Sequence, residues 1–127
     1  MHLFASRTSA WFSTLLFSTT ALAANVILPY GTFVGLDSYT NDQGTPLVNP
    51  LVAYLGIPYA APPTGKLRYS LPQLPFKTNG TTYATAYGPM CMQAGTGEMG
   101  EDCLSLNVFA PNGTKKGSKL PVVIWSE

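Results

Sequence analysis

LGIPYAAPPTGKLRY at 55–69 and EDCLSLNVFAP at 101–111, followed by LPVVIW at 120–125, are the stretches whose reading decides the fold. Residues 51–57 (LVAYLGI) are rich in β-branched and aromatic side chains and suit a buried strand. Pro58, Pro62, Pro63, Pro72 and Pro75 then hold the chain extended over the surface, because proline fixes φ and removes a backbone donor. PYAAPPTG could be read as a proline-rich ligand, but its apolar content suits a segment packed against the body. Over 104–109, Leu104, Leu106 and Val108 alternate with Ser105, Asn107 and Phe109, which is strand periodicity. Leu120 to Trp125 is apolar throughout. A strand with no polar face is expected to be buried on both sides, as in the central sheet of an α/β protein.

The remaining segments are short. Residues 25–36 (NVILPYGTFVGL) read as extended pieces broken by Pro29 and Gly31, 37–50 as a polar loop, and 110–119 (APNGTKKGSK) as a turn. No stretch has the periodicity of an amphipathic helix. An α/β sheet needs helices on both faces. The expectation is therefore part of a larger α/β domain, in which the portion present is mostly strands and loops.

The opening residues have the grammar of a secretory signal. Arg7 gives the positive flank, Ala10 to Phe17 the apolar run, and Ala21-Leu22-Ala23 a small-x-small cleavage site. A spanning helix needs about 20 apolar residues, and Ser13, Thr14, Ser18, Thr19 and Thr20 interrupt this run. The domain reading is a signal peptide at 1–23 and one truncated domain at 24–127, secreted and without a membrane span. The formal charge is +1, from 7 basic and 6 acidic residues, and becomes zero once Arg7 is removed. No basic face for nucleic acid follows. Lys115, Lys116 and Lys119 cluster in a Gly/Ser/Asn-rich turn, as solvated loop charges do.

Cys91 and Cys103 are the only cysteines. In a secreted chain an even pair reads as a disulfide, with two free thiols as the alternative. Two sulfurs without a nearby histidine make no zinc site. Gly95 to Gly100 matches G-x-G-x-x-G by letters. It lies between the cysteines and ahead of a strand, whereas a dinucleotide fingerprint needs a strand before it and a helix start after it. No cofactor is predicted. Asn79-Gly80-Thr81 and Asn112-Gly113-Thr114 are N-glycosylation sequons in glycine-containing turns.

The two long motifs and LPVVIW, in this order and spacing, resemble the opening of a type-B carboxylesterase, the serine-hydrolase family of cholinesterases and secreted esterases and lipases. The resemblance covers about 30–125 and implies an α/β-hydrolase fold of which this is the N-terminal part. It implies that Cys103 of the Glu-Asp-Cys motif bridges back to Cys91, closing a surface loop near the active-site entrance that serves as a lid in lipases. It also implies that Arg68 pairs with Glu101, with Tyr69 standing where the family has Phe. The alternative is two independent surface charges.

A serine esterase needs a nucleophile, a base and an acid that orients the base. The only histidine is His2, inside the leader. No G-x-S-x-G elbow is present, and Ser105 and Ser118 lack the flanking glycines. After Trp125 the family would enter a His-Gly-Gly oxyanion segment, and here Ser126-Glu127 follow. The expectation is a fragment of a secreted carboxylester hydrolase, with no catalytic or metal-binding residue in this chain and no activity alone. An ester or lipid substrate would be met only by a full-length form. The alternative is a non-catalytic secreted glycoprotein that uses the same scaffold for binding.

Overall fold

The structure, a computed structural model, describes residues 25–41, 44–45 and 47–126. The signal reading at 1–23, with His2 and Arg7, lies outside the described residues. The described residues form seven strands: β1 (Val26–Leu28), β2 (Gly31–Val34), β3 (Leu51–Pro58), β4 (Thr81–Tyr83), β5 (Met90–Cys91), β6 (Met99–Gly100) and β7 (Ser105–Pro111). The only helix among the described residues is a 3-10 turn, Gly65–Leu67.

Pro29 and Tyr30 turn the chain between β1 and β2, which pair antiparallel with Leu28 opposite Gly31. β4 adds to the other side of β2 in parallel, giving the order β1-β2-β4. β3 pairs antiparallel with β7. The third sheet is the short parallel pair β5-β6.

β3 is the element the rest is built on. Ala53, Tyr54, Leu55 and Ile57 are all buried. Beyond β2, Leu36 and Ala53 exchange backbone hydrogen bonds at 2.8 and 3.0 Å. After β4, the Ala84 carbonyl accepts from Leu55 N at 2.9 Å while Ala84 N donates to Val34 O at 2.7 Å. Both edges of β3 thus have hydrogen-bond partners, and its buried run matches the buried strand expected at 51–57. The core gathers Phe33, Tyr54, Ile57 and Ala84, flanked by Val26, Leu28, Tyr30 and Val52. Phe33 is 1% exposed and meets the Tyr30 ring edge-on, with centroids 5.8 Å apart. Burial of a Phe of this kind contributes about 1.5–3 kcal/mol.

The β3-β7 register slips between Tyr54↔Val108 and Ile57↔Leu106. Leu55 and Gly56 therefore oppose Asn107 alone, the two-against-one count of a β-bulge. Gly56 has φ +68°, and a Cβ there would stand 2.6 Å from the Ala86 carbonyl oxygen. The bulge frees the Gly56 N–H from the ladder, and it donates instead to Asn107 Oδ1 at 2.9 Å.

One expectation is corrected. Leu120–Trp125 was expected as a strand buried on both faces, but it forms no strand, and Val123 and Trp125 are 90% and 84% exposed. A strand exists only where a neighbour accepts its ladder bonds, and no described strand runs beside this segment. The proline-rich segment 58–65, expected to pack against the body, does so at its centre, and the chain beyond it does not. Ala60 and Ala61 are buried, whereas Leu71 and Leu74 are exposed, since no described element lies over 71–76.

Burial, and after it the Asp37 carboxylate, push the Tyr54 phenol above its ordinary 10.0. Tyrosine is charged only when deprotonated, so a raised folded pKa favours the fold below the unfolded value and loses that contribution as pH climbs through the folded one. Stability is therefore expected to fall above pH 10.0, and Tyr54→Phe to flatten that limb in urea unfolding at stepped pH. Gly56→Val is expected to cost about 1–3 kcal/mol in the same assay from strained backbone, with the clash at Ala86 added. A silent Gly56→Val would contradict the bulge geometry.

Candidate functional site

The two long motifs meet at one place on the surface. From β3 the chain crosses with Tyr59 N donating to Leu104 O at 3.0 Å and Ala61 N to Gln73 O at 2.9 Å. These bonds fold 61–73 into a strap whose tip is the 3-10 turn. Thr64 O and Gly65 O accept from Leu67 N and Arg68 N at 3.0 and 3.3 Å. Arg68 leaves the turn in extended conformation, and Tyr69 follows with φ +57°, a left-handed backbone rare for a bulky residue.

Arg68 Nη1 reaches Glu101 Oε1 at 2.6 Å. The side chains are 51% and 43% exposed, so water screens the pair and it contributes at most about 1 kcal/mol. The guanidinium carbon also stands 5.7 Å from the Tyr69 ring centroid. The structure brings together the two residues that the sequence resemblance joins, on a half-exposed rather than buried surface.

Beside this pair the Cys91 and Cys103 sulfurs are bonded, with Cα atoms 5.0 Å apart. The ring they close contains the G-x-G-x-x-G letters. Met90 N donates to Glu98 O at 3.0 Å, and Gly100 ends β6 with no helix after it. Gly95 and Gly97 serve the bends of the ring, at φ +151° and +144°. Pro63, Arg68, Tyr69, Met92, Glu101 and Cys103 line a shallow open depression between strap and ring. No group of His, Cys, Asp and Glu that could hold a metal occurs among the described residues.

Ser105 opens β7 opposite Pro58, and Ser118 Oγ accepts from Lys115 N at 3.0 Å. Neither faces a histidine among the described residues. Asn79 and Asn112 both lie exposed in turns. Sequence reasoning missed Asn107, whose polar position on a strand pattern was the only sign of its grip on Gly56. It also missed the Tyr39–Tyr87 hydroxyl hydrogen bond at 2.7 Å and the edge contact of Tyr39 with Phe109 at 5.0 Å. These residues are 48 and 70 positions apart in the chain and carry no shared local signal.

The profile of the Carboxylesterase family matches residues 23–126. The chain belongs to the carboxylesterase family. It is 36% identical over 107 residues to Carboxylesterase 1D of Rattus norvegicus, covering 71% of this chain and 19% of that protein. It is 33% identical over 138 residues to Lipase 4 of Diutina rugosa, covering 87% and 23%. Among solved structures, Aspergillus niger EstA aligns with a TM-score of 0.64 at 34% identity, over 78% of this chain and 18% of that one. A PNB esterase aligns with a TM-score of 0.57 at 38% identity, over 69% and 17%. This carboxylesterase chain thus spans about a fifth of the length of the relatives it matches, and its fold is part of an α/β-hydrolase fold, mostly strands.

A non-reduced digest of oxidised material is expected to yield the Cys91 and Cys103 peptides linked; two alkylatable thiols would refute the bond. Loss of the bridge in a Cys91→Ala, Cys103→Ala double variant is expected to cost about 3 kcal/mol on the chain-entropy account of a ring this size. Arg68→Ala and Glu101→Ala are each expected to cost far less, with a double-mutant coupling below about 1 kcal/mol.

Proposed function

We propose that this chain is part of a secreted carboxylester hydrolase and that it supplies scaffold rather than reacting groups. The observation that carries the reading is the family match along residues 23–126. The whole enzyme's reaction would be acyl transfer from an ester to a serine hydroxyl and then to water, with a histidine taking and returning the proton. This chain's own residues contribute the β3-β7 pair, the strap pinned by Arg68 and Glu101, and the disulfide ring. Secretion rests on three features: the leader at 1–23, the Cys91–Cys103 bond and the exposed sequons at Asn79 and Asn112. Disulfides persist in oxidising compartments, and sequons are used only there.

Two measurements test the proposal. The 127-residue chain is expected to turn over p-nitrophenyl acetate no faster than a blank. A full-length form is expected to hydrolyse it and to be stopped by an organophosphorus reagent that esterifies the serine. Turnover by the chain alone would reveal a nucleophile in it, and a full-length form that neither reacts with the reagent nor hydrolyses esters would overturn the enzymatic reading.

A further inference from the structure

We infer that Asn112 carries an N-glycan that shields the adjoining Lys115-Lys116 turn from trypsin-like proteolysis. The inference rests on the reading of the chain as secreted.

The acceptor is held in place and left open. β7 ends at Pro111, and Asn112 N donates to Pro50 O at 3.1 Å. Two residues on, Thr114 gives both its N–H and its hydroxyl to Pro111 O, at 3.1 and 2.6 Å. The backbone is thus fixed on both sides of Asn112, while no described residue hydrogen-bonds its side-chain amide. The residue is exposed, and the next, Gly113, turns the chain at φ +81°. Modification joins the Asn112 amide nitrogen to the anomeric carbon of a lipid-pyrophosphate-linked oligosaccharide. The anomeric carbon–oxygen bond breaks, the lipid pyrophosphate leaves with the electron pair, and the amide gives up one proton.

The neighbouring turn is the weak point of the backbone. Lys115 and Lys116 are exposed. Their turn is closed by two bonds only, Ser118 N to Lys115 O and Lys115 N to Ser118 Oγ, each 3.0 Å. Lys116 and Gly117 (φ +90°) have no backbone hydrogen bond to a described residue. Cleavage needs a locally opened backbone, and exposed loop tips of small and polar residues open first. Lys119, exposed at φ +50°, ends the same turn and shares its weakness, whereas the basic sites outside the turn are better tied. Lys66 lies in the 3-10 turn, Arg68 is paired with Glu101, and Lys77 precedes Thr78, whose N–H is held by Tyr30 O at 2.8 Å. Asn112 and Lys115 are separated by three residues, at most about 11 Å of chain. A sugar at the first is bulky enough to overhang the second.

The test expresses the full chain in a secretory host and in a bacterial one. Asn112 occupancy is read by mass spectrometry after enzymatic release, which converts a glycosylated asparagine to aspartate. Trypsin cleavage after Lys115, Lys116 or Lys119 is then timed. Expected are an occupied Asn112, cleavage about tenfold slower with the glycan than without it, and equal rates for unmodified wild type, Asn112→Gln and Thr114→Ala. An occupied Asn112 with unchanged cleavage overturns the shield and leaves the secretory reading standing. An Asn112 empty in exported material overturns the acceptor; a chain that is never exported overturns the secretory reading itself. Replacing Lys115, Lys116 and Lys119 together by Gln is expected to abolish the early cut, and an early cut elsewhere would show that this turn is not the weak point.

Discussion

A single strand, β3, sets the arrangement of everything around it. It takes β7 along its length, Leu36 at Ala53 and Ala84 at Leu55, so three separate stretches of chain are registered against eight residues. The bulge at Leu55-Gly56 is what lets one strand do this. It turns the backbone so that Leu55 can reach Ala84 while Ile57 returns to the core beside Phe33 and Tyr54. Only glycine accepts the left-handed conformation at that point without strain, and the Asn107 amide oxygen supplies the acceptor that the bulge removes. The strap and the ring hang from the ends of β3 and β7, and their meeting at Arg68 and Glu101 follows from that registration.

The apolar surfaces left open have a consistent placement. Val108 and Phe109 on β7 are partly exposed and the run from Val122 to Trp125 is largely so, on a chain that spans about a fifth of its relatives' length. In an α/β sheet such faces are the ones that further strands and helices cover. The residues around β3 are satisfied within the chain, whereas those beyond β7 remain exposed.

What the sequence made legible divides along the same line. The strands at 26–34, 51–58 and 105–111 could be read because proline, glycine and alternation mark them locally. The family could be read because two long motifs occur in order. The segment at 120–125 was read for the right property and the wrong state, since its apolar character records what it packs against rather than what it forms by itself. The bulge, the Tyr39–Tyr87 hydrogen bond and the exposed setting of the Arg68–Glu101 pair were not legible. Each depends on residues distant in the chain, and local pattern carries no term for distance.

The disulfide ring has a further consequence. Its two ends are covalently fixed 5.0 Å apart, and the short β5-β6 pair lies just inside one end and at the other. Whatever the chain does between Gln93 and Glu98, it must return to the same point, and the register of β7 with β3 is unaffected. Closing a longer loop costs little, about 0.6 kcal/mol for each doubling of length. Segment length here is therefore nearly free to vary, and the ring is the place where this scaffold can gain or lose residues without disturbing the strands on either side.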